Sequence, residues 1–208
     1  MSTYMLTAPF IGVARHRLSV DGEGVTTLAA FHGCSLRCKY CLNPQSLTGE
    51  EKCVRYSPKE LYEKVKIDDL YFKATGGGVT FGGGEPLLRM DFIEEFAKLC
   101  PNEWRLCAET ALCVPEDAVI RAAQVFASFI VDVKDCDPEI YESYTGKSNG
   151  TALGNLSRLI ALAGADAVTV RVPLIPGYNT EEDRKRSLKL LSEMGIKNTE
   201  SLKYVIKK

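Results

Sequence analysis

Two periods of hydrophobicity take turns along this chain. Short runs that alternate every second residue, or that are apolar throughout, read as strands: Val25–His32 ("VTTLAAFH"), Gly78–Gly84 ("GVTFGGG"), Arg105–Thr110 ("RLCAET"), Phe129–Asp135 ("FIVDVKD") and Ala167–Ile175 ("AVTVRVPLI"), with Ser201–Lys208 as a final one. Between them lie stretches with a period near 3.6. A helix starts at "SPKE", with Ser57 as N-cap, Pro58 at the first position and Glu60 completing a capping box. Phe92, Ile93, Phe96 and Leu99 mark the face of a second helix. Val119, Ala122, Ala123 and Phe126 mark a third, after Pro115, and Leu156, Leu159, Ile160 and Ala163 a fourth. Thr180 and Asp183 cap a last helix that runs to about Gly195. Strands alternating with helices predict parallel βαβ units. About six units make a partial (β/α)6 TIM-like barrel, because a complete barrel of eight needs roughly 250 residues. An open, doubly wound α/β sheet is the competing architecture.

The same pattern says where chemistry can sit. Phe129, Val131 and Val133 alternate with Ile130, Asp132 and Lys134, and Val168, Val170 and Val172 alternate with Thr169, Arg171 and Pro173. Alternate residues of a strand face opposite ways. One face can therefore pack on helices while the other carries Asp132, Lys134 and Arg171 near the C-terminal strand ends, where parallel α/β folds place their sites.

Composition narrows the classes. A net charge of −1 over 208 residues argues against a nucleic-acid surface. No apolar run is long enough to cross a bilayer, and the first twenty residues lack the layout of a signal peptide. The expectation is a cytoplasmic chain whose eight cysteines are reduced and free to bind metal.

Three of those cysteines stand together in "GCSLRCKYC", at Cys34, Cys38 and Cys41. Three thiolates can ligate zinc or an iron–sulfur cluster. Structural zinc usually closes with a fourth ligand from a second hook, and none is evident. Cys53 is the nearest further candidate. Cys100, Cys107, Cys113 and Cys136 are scattered, several of them in apolar segments, and read as buried and inert. Three cysteines on a cube of four irons leave one iron open, and an open position in a metal enzyme is where substrate binds. Tyr40 could offer a ring to a flat ligand there. In "GGGVTFGGGEP", Gly83, Gly84 and Glu85 end a strand and present backbone groups and a carboxylate, which suit an ammonium and not a phosphate.

These features together resemble the radical S-adenosylmethionine (SAM) superfamily, and within it the activating enzymes of glycyl radical enzymes, of the pyruvate formate-lyase type. The resemblance runs from residue 12 to about residue 196. Its further supports are "VDGEGVTTLAAFHGC", "TGGGVTFGGGEPLL", "DVKDCDPEIYESYTGKSN" and "VRVPLIPGYNTEED". It implies one radical SAM domain over residues 1–208. Cys34, Cys38 and Cys41 would hold a [4Fe–4S] cluster whose open iron takes the amino and carboxylate groups of SAM. Gly83, Gly84 and Glu85 would receive the methionine ammonium, and Tyr40 would lie near the adenine. Asp132 and Lys134 match positions at the ribose and carboxylate side, with Arg171 as a second cation for the carboxylate. Glu109 and Thr110 would form a monovalent cation site with Asp132. The activity implied is reductive cleavage of SAM to a 5′-deoxyadenosyl radical that takes a hydrogen from a glycine Cα of a glycyl radical enzyme. A flavodoxin or ferredoxin-type protein would be the reductant, and the free chain a monomer without nucleic-acid or membrane partners.

The chain also departs from that pattern. Glu23 and Thr26 replace a usual Pro and Arg, and the interval from Cys41 to Gly83 holds only Cys53, too few cysteines for extra clusters. The only histidines are His16 and His32, so the family's late SAM-contacting histidine has no counterpart and that wall of the site is expected to be shortened. A radical SAM enzyme on another peptide or small molecule, a non-catalytic iron–sulfur protein and a zinc-binding structural module are the alternatives.

Overall fold

The capping box at Ser57 forms: its hydroxyl accepts from the Glu60 amide at 3.3 Å, and the Glu60 carboxylate accepts from the Ser57 amide at 2.7 Å. It opens α1 (Pro58–Val65), which buries Leu61 and Val65. A computed structural model describes residues 6–18 and 20–204. Its strands are β1 (Ala8–Leu18), β2 (Val25–Phe31), β3 (Val54–Tyr56), β4 (Gly78–Gly83), β5 (Arg105–Thr110), β6 (Ser128–Asp132), β7 (Val168–Leu174) and β8 (Asn198–Lys203). The other helices are α2 (Asp69–Thr75), α3 (Met90–Ala97), α4 (Glu116–Val125), α5 (Pro138–Thr145), α6 (Gly150–Ala163) and α7 (Glu181–Glu193).

One sheet joins all eight strands in the order β3-β1-β2-β4-β5-β6-β7-β8. From β2 to β8 every pair is parallel. Those six strands lie side by side in chain order, with no reversal. Right-handed crossovers in sequential order put the helices on one face of the sheet, so the architecture is the partial barrel and not the doubly wound sheet. Phe81, Phe129, Val131, Val168, Val170 and Val172 meet the helices in the main core. The inner face is left to Glu109, Asp132 and Arg171.

Several boundaries differ from the sequence reading. Leu99 lies past the end of α3 and is exposed. Phe126 follows α4 but is buried. β6 ends at Asp132, so Val133, Lys134 and Asp135 belong to the loop beyond it. Of the expected last strand, Ser201–Lys203 are in β8, and residues 205–208 lie outside the described residues. β1 and β3 were not expected. They pair antiparallel with each other, and β1 with β2, widening the sheet beyond the first parallel strand.

Candidate active site

The cysteine loop follows β2 at the C-terminal end of the sheet and is tied down by backbone hydrogen bonds from several directions. The His32 amide donates to Pro9 O, Gly33 to Ser46 O, Arg37 to Thr145 O and Lys39 to Tyr144 O, at 2.9–3.1 Å. Gly84 donates to Phe31 O at 2.9 Å and Glu85 to Gly33 O at 2.8 Å. The Ser35 hydroxyl donates to Cys113 O at 2.7 Å, and the Asn43 amide group to Gly83 O at 3.1 Å. Gly33 and Gly84 have to be glycine for this seam to close. Gly33 has φ +97°, and a Cβ on Gly84 would stand 2.0 Å from Gly33 O.

Cys34, Cys38 and Cys41 are free and partly exposed on this loop. They are near enough to act on one another electrostatically. Burial pushes the Cys38 thiol up to about 11, against the pull of Lys134, while Cys34 and Cys41 add to the rise. Cys34 is raised in the same way, with Glu85 contributing. Metal charge reverses this balance, since a coordinating thiol is deprotonated. Three thiols on one loop are the donor chemistry of an iron–sulfur cluster with one iron left open.

Glu85 points inward from the glycine turn. It is 1% exposed. Its carboxylate accepts from the Leu87 amide, the Thr110 hydroxyl and the Ala111 amide at 3.2, 2.7 and 3.0 Å. Burial pushes its pKa up, and these bonds pull it back. What the turn offers outward is thus the backbone of Gly83 and Gly84, with the Glu85 charge beneath.

The inner strand face carries two ionic groups. Arg171 donates to Glu109 at 2.6 Å, to Glu200 at 2.8 Å and to Val20 O at 2.6 Å. Its guanidinium is thus held by the barrel itself. Lys134 donates to Asp132 at 2.8 Å and to the Tyr204 hydroxyl at 3.1 Å. Burial opposes the Lys134 charge, but Asp132 and Tyr204 outweigh it and hold the pKa well above the usual lysine value.

The expected cation trio does not come together. Glu109 and Thr110 face opposite sides of β5, and the Thr110 hydroxyl is spent on Glu85 while Glu109 is paired to Arg171.

Tyr40 belongs to a cluster of tyrosines that the sequence did not disclose. Its ring centroid lies 5.6 Å from Tyr178 and 6.3 Å from Tyr144, and Tyr144 lies 5.1 Å from Tyr178. Tyr144, Ile175 and Tyr204 are buried together, with Cys38, Tyr40 and Tyr178 packed against them. Tyr204 stands just past the end of β8. Its only local signal was an aromatic residue just past a strand end.

The model of the radical SAM superfamily matches residues 29–191. The (2S)-3-sulfopropanediol dehydratase activating enzyme of Klebsiella oxytoca is 28% identical over 85% of this chain and 75% of its own length. The pyruvate formate-lyase-activating enzyme of Staphylococcus aureus is 33% identical over 79% of this chain and 68% of its own length. In fold, the chain is similar to Streptococcus suis SuiB bound to S-adenosylmethionine, with a TM-score of 0.64 at 14% identity over 85% of this chain and 40% of that one. It is also similar to anSMEcpe with bound AdoMet, with a TM-score of 0.60 at 18% identity over 83% and 49%. The chain belongs to the radical SAM superfamily, whose members use a [4Fe–4S] cluster and S-adenosylmethionine, and is related there to the activating enzymes of glycyl radical enzymes.

Proposed function

We propose that this chain is an activase of a glycyl radical enzyme. The observation that carries the reading is the trio Cys34, Cys38 and Cys41, held beside the Gly33–Gly84 seam and within the electrostatic reach of Lys134. A [4Fe–4S] cluster held by these cysteines and given one electron by a flavodoxin or ferredoxin-type protein would supply reductive cleavage of SAM to methionine and a 5′-deoxyadenosyl radical, which would take a hydrogen from a glycine Cα of the partner.

The chain's own residues bind and orient. The three cysteines would hold the cluster. The backbone of Gly83 and Gly84 accepts the methionine ammonium above the buried Glu85 carboxylate, which adds an attractive field. Lys134 faces the carboxylate, with Asp132 at the ribose side. Tyr40, braced by Tyr178, gives a flat wall for the adenine. Arg171, Glu109 and Glu200 keep three strands in register beneath. Fixed contacts of this kind pay in advance for holding a reactive group near its target and keep water away.

The test is anaerobic reconstitution. About four irons and four sulfides per chain are expected, and Cys34→Ala loses them. Wild type with SAM and dithionite then yields 5′-deoxyadenosine, and a candidate partner gains a glycyl radical doublet in electron paramagnetic resonance. Zinc without sulfide, or a cluster that never cleaves SAM, sinks the reading. SAM cleavage without a glycyl radical on any partner tried moves the function to another substrate.

A further inference from the structure

Lys134 and Tyr204 each have a hydrogen left over. An ammonium carries three N–H donors. Lys134 uses one on Asp132 and one on Tyr204, and the third has no acceptor among the described residues. The Tyr204 hydroxyl is the acceptor in its bond with Lys134, so its own hydrogen points elsewhere, and it too has no acceptor among the described residues. Both residues are 8% exposed. A buried ammonium with an unspent donor is costly, and a ligand oxygen that supplies the missing bond recovers the cost.

The two donor atoms are 3.1 Å apart. Their free hydrogens can therefore reach the two oxygens of one carboxylate. The position is fixed on all sides. The Tyr204 amide donates to Leu174 O at 3.0 Å, which holds the backbone beside β7 past the end of β8. The ring packs with Ile175 and Tyr144. Cys38 packs against the same cluster and feels the Lys134 charge, so the pair of donors lies beside the cysteine loop. Asp132 takes the other side of Lys134 and so orients the ammonium rather than competing for the same hydrogen.

We infer that Tyr204 and Lys134 form a two-donor carboxylate site, in which the Tyr204 hydroxyl binds the methionine carboxylate of SAM directly. This rests on the function proposed above and adds a ligand-contacting residue to it.

Tyr204→Phe removes the hydroxyl and keeps the ring. The reconstituted protein is titrated with SAM and with decarboxylated SAM, which lacks the carboxylate, and dissociation constants are compared. Tyr204→Phe is expected to weaken SAM about tenfold or more, as loss of a bond to a charged group does, and to leave decarboxylated SAM unchanged within about twofold. Equal weakening of both ligands would make Tyr204 a packing residue and overturn the assignment, and so would SAM binding as tight as wild type. The melting temperature of Tyr204→Phe, expected to fall by only a few degrees because Lys134 loses one acceptor, checks that the wall is intact. A wild-type protein that carries the cluster but binds no SAM would take down the functional reading together with this one. A wild type that binds SAM beside an unaffected variant would take down only this one.

Discussion

At the scale of single residues, the Gly33–Gly84 seam leaves the least room for change. A methyl on Gly84 runs into a backbone oxygen, and that oxygen already accepts from Glu85. Backbone cannot swing aside as a long side chain can, so the cysteine loop has to move. Gly84→Ala is therefore expected to lower iron and sulfide incorporation by more than half, with little change in far-ultraviolet circular dichroism, since Gly84 lies just past the end of β4. Full loading of this variant would show that the seam is not what positions the thiols. The site was legible in part from the sequence. Cys34, Cys38, Cys41 and the polar strand-end residues announce themselves by spacing and alternation. Their partners do not: Lys134 meets Tyr204 across 70 positions and Arg171 meets Glu109 across 62. Only the fold sets such distances. The direction of Glu85 was equally hidden, because a turn of glycines permits either orientation.

At the scale of elements, the parallel strands were readable because their outer faces are continuous Val and Phe rows under helices. β1 was not. Its pairing with β2 shifts register twice, between Phe10 and Gly12 and between Ala14 and Arg17, so its alternation is broken where it would be read. His16 sits in the second irregularity with φ +57°. The fully buried Asp68 carboxylate pins that segment, accepting from Arg15 at 2.6 and 2.7 Å and from Thr27 at 3.2 Å, with His16 Nε2 3.0 Å away. The Arg15 hydrogen bond is the largest influence on Asp68 and holds its pKa below the usual aspartate value. A depressed pKa means that the unfolded chain takes up the proton first. The stabilisation is complete above about pH 4, the unfolded value, and drains away as pH falls through the folded value. Asp68→Asn is expected to lower the melting temperature by several degrees at pH 7, with the gap to wild type narrowing below pH ~4. A gap that stays constant with pH would assign the loss to packing rather than charge.

At the scale of the whole molecule, Arg171 ties distant parts of the chain together. It joins β5 through Glu109, β8 through Glu200, and the β1–β2 connection through Val20 O. The same connection is held by a hydrogen bond from the Thr80 hydroxyl to Asp21 O, so it forms a floor under the barrel. Removing one partner from a partly buried ionic group leaves the others less compensated. Arg171→Met is expected to cost about 2 kcal/mol in urea unfolding. Adding Glu109→Gln to that variant is expected to restore part of the loss, since the stranded charge is then gone. A double variant less stable than the single would mean that Glu109 does not depend on Arg171.

The many backbone anchors of the cysteine loop bear on how the protein ages in air. Small zinc domains owe their fold to the metal, so losing it unravels them. Here Pro9, Phe31, Ser46, Tyr144 and Thr145 supply the acceptors that hold the loop, and none of those bonds depends on iron. Oxygen that strips a cluster from such a loop damages the cargo and spares the berth. Loss of iron is then a repairable injury: fresh iron and sulfide, once the thiols are reduced again, meet a receptor that needs no refolding.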